Sequence, residues 1–160
     1  YYPYYTGQGF DVHGFCAGDF VTLAGVRVPH THGLQGHSDA DVVWHALCDA
    51  LLGAMGCGDI GEHFPDDDER WRGADSAQFL EYVQNLLQEF RGTIINIDIT
   101  VICEKPKITP HKSKMMARTA DILRIQPNRI NVKATTTEKL GFLGRGEAIA
   151  AMAICTIQRP

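Results

Sequence analysis

The run Ile94-Ile95-Asn96-Ile97-Asp98-Ile99-Thr100-Val101-Ile102-Cys103 decides the fold class. Ile95, Ile97, Ile99, Val101 and Cys103 alternate with Asn96, Asp98 and Thr100, the period of two expected of a strand with one face in a core. Upstream, Phe79, Val83, Leu86, Leu87 and Phe90, flanked by Tyr82, recur at helical spacing and predict a helix over about 75–90 that Gly92 stops. Downstream, Thr109-Pro110 supplies a cap and a first-turn proline for a helix carrying Met116, Ala120 and Leu123, closed by Pro127. Ile130, Val132 and Ala134 then alternate into Thr135-Thr136-Thr137. The segment 147–157 is rich in helix-favouring alanine, yet Ile149, Ala151, Ala153, Cys155 and Ile157 alternate, which selects a strand. Strands and helices mixed in this way predict an α+β fold, a mixed β-sheet layered against helices.

Working towards the N-terminus, Gly53, Gly56, Gly58 and Gly61 interrupt the chain ahead of the acidic Asp66-Asp67-Asp68, which reads as a long loop or lid. Before it, Val42, Val43, Ala46, Leu47, Ala50 and Leu51 predict a helix that Ser38 or Asp39 would cap. Residues 20–23 and 26–28 flank Ala24-Gly25 and read as a hairpin closed by Pro29. Residues 1–5, with Pro3 among four tyrosines, read as a tail or linker remnant ahead of one domain over 6–158.

Length and composition agree with a single domain: 160 residues, 44% hydrophobic and 21% charged, enough to bury a core without crosslinks. Five scattered cysteines without a C-x-x-C pair suit a reducing compartment, and no apolar run reaches the roughly 20 residues of a membrane span. The net charge of −4 hides an asymmetry. Residues 1–70 hold eleven acidic and two basic side chains and six of the seven histidines, whereas residues 71–160 hold eight acidic and thirteen basic. The first half suits a metal and the second a phosphate; no dense basic stripe argues for nucleic acid.

Candidate chemistry follows that division. Asp11 and His13 share one face of an extended segment, and His45 lies on an otherwise apolar helix; together they offer three ligands and an open position, the pattern of a working zinc. Asp41 and Asp49, four residues either side of His45, are candidates to hold its other ring nitrogen. His37-Ser38, at the start of that helix, offers a phosphate seat. Thr135-Thr136-Thr137-Glu138-Lys139 offers oxygen ligands and an ammonium for a phosphate with a hard cation, and Lys105-Pro106-Lys107 ends the best strand with a rigid, basic turn. On the residues alone, a zinc-dependent phosphoester hydrolase and a non-catalytic phosphate-binding protein both remain open.

The stretches GFDVH (9–13), AGVRVP (24–29), GHSDADVVWHALCDALLGA (36–54), GDIGEHFPD (58–66), RGADS (72–76), EKPKITPH (104–111) and NVKATTTEKLGFLGRGEAIA (131–150) closely resemble, in order and along nearly the whole chain, the 2-C-methyl-D-erythritol 2,4-cyclodiphosphate synthase family. The resemblance implies a phosphorus–oxygen lyase of the non-mevalonate isoprenoid pathway that turns 4-diphosphocytidyl-2-C-methyl-D-erythritol 2-phosphate into a cyclic diphosphate and CMP. It implies zinc or another divalent metal on Asp11, His13 and His45, and Mg²⁺ or Mn²⁺ on Glu138 beside the substrate diphosphate. His37 and Ser38 would hold the erythritol phosphate, and Asp59, Gly61, Phe64 and Asp66 the diol part. Cys103, Lys105, Pro106 and Lys107 would receive cytidine, with Thr135 and a catalytic Thr136 near the diphosphate. Asp49 would stand behind His45, and Phe142 and Arg145 would line a central channel where isoprenoid-type phosphates are proposed to bind. The resemblance further implies a homotrimer with its sheets facing the axis and its sites between subunits. Fusion to, or association with, a cytidylyltransferase also follows, in a bacterial cytoplasm or a plastid-type organelle. Gln8 departs from the family's histidine before the GFD run, and Cys103-Glu104-Lys105 occupies a variable stretch.

Overall fold

A computed structural model describes residues 3–160. In chain order it contains β1 (Tyr4–Cys16), β2 (Phe20–Leu23), β3 (Val26–Pro29), β4 (Gly33–Leu34), α1 (Val42–Ala54), α2 (Ile60–His63), α3 (Ser76–Phe90), β5 (Thr93–Ile102), α4 (Lys112–Leu123), β6 (Ile130–Thr135), α5 (Gly141–Gly144) and β7 (Ala148–Gln158). Five strands form one mixed sheet in the order β4-β1-β7-β5-β6, with only β5 and β6 parallel, and β2-β3 make a separate hairpin. The α+β expectation holds.

α1 lies directly on β1 and β7, and α3 and α4 complete the layer. Two glycines set the α1 spacing. A Cβ on Gly7 would stand 1.8 Å from the Ala50 carbonyl oxygen, and one on Gly9 would stand 1.9 Å from that of Ala46. Main chain therefore rests on main chain, which no larger residue permits. Those glycines also explain where sequence reading failed. β1 begins at Tyr4, paired with Gln158, inside the stretch expected to be a tail; residues 1 and 2 lie outside the described residues. Its two fully buried inward positions, Gly7 and Gly9, are glycine, so no apolar alternation announces the strand.

β7 runs as expected, with Ile149, Ala151, Ala153, Cys155 and Ile157 buried beneath the helices. In β5 a register shift between Ile94 and Asn96 turns Ile94 into the core and leaves Ile95 half-buried, which corrects the alternation at its first step. From Ile97 onward the reading stands. Ala134 is exposed, not buried, because β6 is an edge strand whose end projects beyond the helices. Helix termini differ from expectation in detail. Asp41, not Ser38 or Asp39, caps α1, and the left-handed residue ending α3 is Arg91 (φ 62°), one before Gly92. Thr109-Pro110 opens a 3₁₀ turn that leads into α4 with no side-chain cap.

The sheet's other face carries no long helix. Phe10, Met152 and Ile154 lie 56%, 44% and 46% exposed there, and only Leu143, brought by α5, covers one end with Val12, Ile102 and Ala150.

Candidate active site

The β1 face that meets α1 reads Gly7, Gly9, Asp11, His13. Once past the glycines, the same side of the strand carries two polar side chains towards the first turn of α1, where His45 stands. The sequence expectation for this trio is met: one ligand atom from each of Asp11, His13 and His45 lies within 4.8 Å of the others. His13 Nε2 is 2.9 Å from Asp11 Oδ2, His45 Nδ1 is 3.3 Å from the same oxygen, and the two nitrogens are 3.2 Å apart.

Proton positions decide what this arrangement is for. His13 Nδ1 lies 2.9 Å from the Gln35 carbonyl oxygen, an acceptor only, so Nδ1 carries the proton and Nε2 of the neutral ring is bare. Asp11 Oδ2 is buried and lacks a hydrogen-bond donor, although two ring nitrogens crowd it. A carboxylate oxygen and bare imidazole nitrogens at such distances repel unless a cation lies among them. Its absence would leave the place to a proton. Burial works to raise the Asp11 carboxyl, but the adjoining His13 and His45 rings, as places where a proton can sit beside it, outweigh burial and bring it down to about 2. Burial likewise opposes charge on His13, yet Asp11 raises that ring above its ordinary value. These residues fit a divalent metal.

The trio forms the floor of a cavity of about 390 Å³. His37, Ser38, Gly61, Phe64, Asp66 and Asp49, all named from the sequence, line it. Pattern reading missed Trp71 and Phe79, which with Phe64 build an apolar wall; the Phe64 ring lies 4.5 Å from Phe79 and meets Trp71 edge-on at 4.8 Å. Phe79 sat in a core stripe and Trp71 in a loop, so neither carried a signal beyond packing. His37 Nε2 donates to the Asp68 carbonyl oxygen at 3.2 Å, tying the acidic loop to the approach to α1.

Three of the expected residues are engaged elsewhere. Asp59 does not line the cavity; it caps α2 by accepting from Glu62 N at 3.0 Å. Neither Asp41 nor Asp49 holds the second nitrogen of His45, whose Nε2 faces Ser76 Oγ at 2.9 Å and Ser38 Oγ at 3.2 Å. Asp41 is fully buried and engaged elsewhere: Ala24 N and Trp44 N donate to its Oδ1 at 2.9 and 3.1 Å, and Gly25 N donates to Oδ2 at 2.8 Å. It thereby ties the β2-β3 turn to α1. Asp49 accepts from Ile60 N at 2.8 Å, and burial raises its carboxyl.

The second half of the expected site lies elsewhere on the chain. Cys103, Pro106, Lys107, Thr135 and Thr136 come together around another cavity, of about 500 Å³, where β5 and β6 end side by side. Lys105 turns away from it to a third hollow shared with Phe15, His30, His32, Lys139 and Arg145. Glu138 lines none of these; its exposed side chain follows a left-handed backbone (φ 54°), and its N–H donates to Thr136 Oγ1 at 3.1 Å. Phe142 is 43% exposed, and Arg145 is paired with Glu147.

Comparison with known proteins agrees with this geometry. The YgbB family profile matches residues 4–158. The bifunctional enzyme IspD/IspF of Rhodospirillum rubrum is 60% identical over 154 residues, 96% of this chain and 40% of that enzyme. The 2-C-methyl-D-erythritol 2,4-cyclodiphosphate synthase of Xanthomonas axonopodis pv. citri is 58% identical over 153 residues, 96% of this chain and 92% of that one. The chain thus spans about two fifths of its bifunctional relatives and nearly all of the single-activity ones. Among solved structures, the bifunctional IspDF from Campylobacter jejuni superposes with a TM-score of 0.96 at 44% identity, over 100% of this chain and 43% of that one. The CDP complex of the Plasmodium falciparum enzyme IspF superposes at 0.86 and 34% identity, over 98% and 97%. The fold, the cation-ready trio and a family match over nearly every described residue make one statement: the chain belongs to the YgbB family, that of the 2-C-methyl-D-erythritol 2,4-cyclodiphosphate synthases.

Proposed function

We propose that the chain converts 4-diphosphocytidyl-2-C-methyl-D-erythritol 2-phosphate to 2-C-methyl-D-erythritol 2,4-cyclodiphosphate and CMP, as a phosphorus–oxygen lyase of isoprenoid biosynthesis. The observation that carries the reading is the donor-poor cluster of Asp11, His13 and His45 on the floor of a cavity rimmed by His37 and Ser38. In the reaction an oxygen of the 2-phosphate bonds to the β-phosphorus of the cytidine diphosphate, and the bond from that phosphorus to the CMP oxygen breaks. The attacking phosphate is largely dianionic at neutral pH, its second pKa being about 6, so no side chain has to remove a proton. The obstacle is repulsion between two anions. Divalent cations, zinc on Asp11, His13 and His45 and Mg²⁺ or Mn²⁺ beside Glu138, would supply the positive charge that offsets it.

The chain's own groups position the substrate. His37 and the Ser38 hydroxyl hold the erythritol phosphate, while Phe64, Trp71 and Phe79 take the carbon skeleton and keep water from the reacting phosphorus. Gly61 and Asp66 lie along the diol. Backbone groups from Cys103 to Lys107 receive the cytosine, and Thr135 and Thr136 face the diphosphate. Thr136, by accepting from Glu138 N, also sets the direction of that carboxylate.

The two halves occupy separate cavities of one chain, which supports a homotrimer in which each active site takes its halves from neighbouring subunits. The apolar strand face of Phe10, Met152 and Ile154 supports packing of the sheets around the axis, with Phe142 and Arg145 along a central channel. The bifunctional relatives support fusion to, or association with, a cytidylyltransferase. The bacterial relatives support a cytoplasmic site of action.

³¹P NMR of the chain with the cytidyl substrate and Mg²⁺ tests the reaction. Two coupled signals of a cyclic diphosphate, appearing with CMP and lost in His13→Ala and Glu138→Ala, are the expected result. CMP accompanied only by open-chain phosphates would sink the cyclase and favour a hydrolase.

A further inference from the structure

We propose that Ser76 and Asp39 are positioning residues for the cation site: together they keep the proton of His45 on Nε2 and leave Nδ1 free to bind the ion. The inference rests on the reading of Asp11, His13 and His45 as a cation site, and extends it to two residues outside the cavity lining.

The Ser76 hydroxyl donates to Asp39 Oδ1, and Ser76 N donates to Asp39 Oδ2 at 2.9 Å. An ionised carboxylate accepts only, so the single hydroxyl proton of Ser76 is committed to it. Ser76 Oγ then presents lone pairs to His45 Nε2, 2.9 Å away. Two lone pairs at that separation repel, so Nε2 must carry the ring proton. A neutral imidazole has one N–H, which leaves Nδ1 bare where it faces Asp11 Oδ2 and His13 Nε2. Ser76 is fully buried, so water cannot stand in for its hydroxyl. Ser38 Oγ, 3.2 Å from the same nitrogen, has a proton free to rotate and so imposes neither tautomer.

Asp39 is itself fixed from two sides. Asp41 N donates to its Oδ1 at 3.1 Å, and its own N–H donates to the Ala74 carbonyl oxygen at 3.0 Å. The approach to α1 and the first residue of α3 therefore meet at this carboxylate, and their docking sets the direction of a ligand on α1. His13 obtains the same service from a backbone carbonyl at Gln35, so the two rings are oriented by unrelated means.

The test reads tautomer and affinity, not turnover. Long-range ¹H–¹⁵N NMR of the metal-free, histidine-labelled chain gives the protonated nitrogen of each ring, and Co²⁺ titration followed by visible absorption gives a Kd. The wild-type chain is expected to show His45 protonated on Nε2. In Ser76→Ala the constraint is gone and both His45 tautomers appear. In Asp39→Asn the charged acceptor that commits the Ser76 hydroxyl proton is lost, so that proton is released in part to His45 Nε2 and both tautomers appear there too. Both variants are expected to bind Co²⁺ about 10- to 100-fold more weakly. His13 should keep its proton on Nδ1 in each, held by the Gln35 carbonyl, which verifies folding around the site. If His45 stays protonated on Nε2 and the Kd is unmoved in both variants, the relay is overturned. A wild-type chain that fails to bind Co²⁺ overturns instead the cation reading beneath it.

Discussion

The proposed cation end of the molecule and its proposed nucleotide end differ in how they are held. At the cation end, Asp11, His13 and His45 converge within one chain, and their supports are inward: Asp41 and Ser76 are fully buried and Gly9 lies beneath α1. At the nucleotide end, Thr135, Thr136 and Glu138 stand on exposed backbone, and the nearby pairs Asp98–Lys133 and Arg145–Glu147 are open to water. The first region has its structure completed by folding. The second presents groups without the surface that would enclose them, as expected of a half-site that a neighbouring subunit completes. On the proposed reading, an enzyme handling two anions keeps the costly convergence of ligands inside the folding unit and leaves the more tolerant nucleotide contacts to assembly.

The sharpest way to break this contrast is to disturb the inward support. Gly9→Val is expected to cost more than about 4 kcal/mol or abolish folding, because its Cβ meets the Ala46 carbonyl, which cannot yield. Gly14→Ala on the same strand, whose Cβ would lie 3.8 Å from Glu147 O, should change stability by less than about 1 kcal/mol. Urea unfolding reads both; equal effects would mean that the spacing of β1 and α1 is not fixed by the glycines.

Mixing variants tests the division itself. His13→Ala and Glu138→Ala should each lower kcat/KM about 1,000-fold or more when alone. Refolded together in equal amounts they should recover about a quarter of wild-type activity, since random pairing of intact halves gives that fraction. No recovery from a verified mixed assembly would place both halves in one chain.

Asp41 offers a test at intermediate scale. Burial raises its carboxyl, against the N–H groups of Gly25, Trp44 and Ala24 and with help from the charge of Asp39, to about 6 from an ordinary 3.8. The folded chain therefore binds this proton more tightly than the unfolded one. The resulting stabilisation is complete below pH 4 and is lost as pH rises through 6. Wild-type stability should fall relative to Asp41→Asn by on the order of 2–3 kcal/mol between pH 4 and 7. A parallel pH course in the two proteins would show that the three N–H donors outweigh burial.

The smallest effect belongs to the open side. A double-mutant cycle on Asp98 and Lys133, joined at 2.8 Å but exposed, should give a coupling below about 0.5 kcal/mol that fades with salt. A coupling above 1 kcal/mol would show that the open face is held as firmly as the buried one.

Much of this was legible in sequence. β5, β6, β7, α1 and α3 announced themselves because their inward positions are apolar and periodic, and the D-x-H pair with His45 could be reached from spacing. β1 was under-read because glycine occupies its buried positions 7 and 9, and glycine leaves no apolar signature. Ser76 was hidden for another reason: no local spacing relates it to His45, and only the docking of α3 beside α1 brings them together. Asp49 and Asp41 were assigned to His45 by helical proximity, but nearby backbone N–H groups claimed them first.

The glycine seam of β1 bears on what this scaffold can become. Because the gap between strand and helix is set by main-chain atoms in contact, it cannot be tuned by ordinary side-chain drift. The opening available to an ion is therefore inherited with the fold. Selection, or an engineer, seeking a larger or softer metal here could exchange donor atoms at positions 11, 13 and 45, but could not widen the frame that carries them.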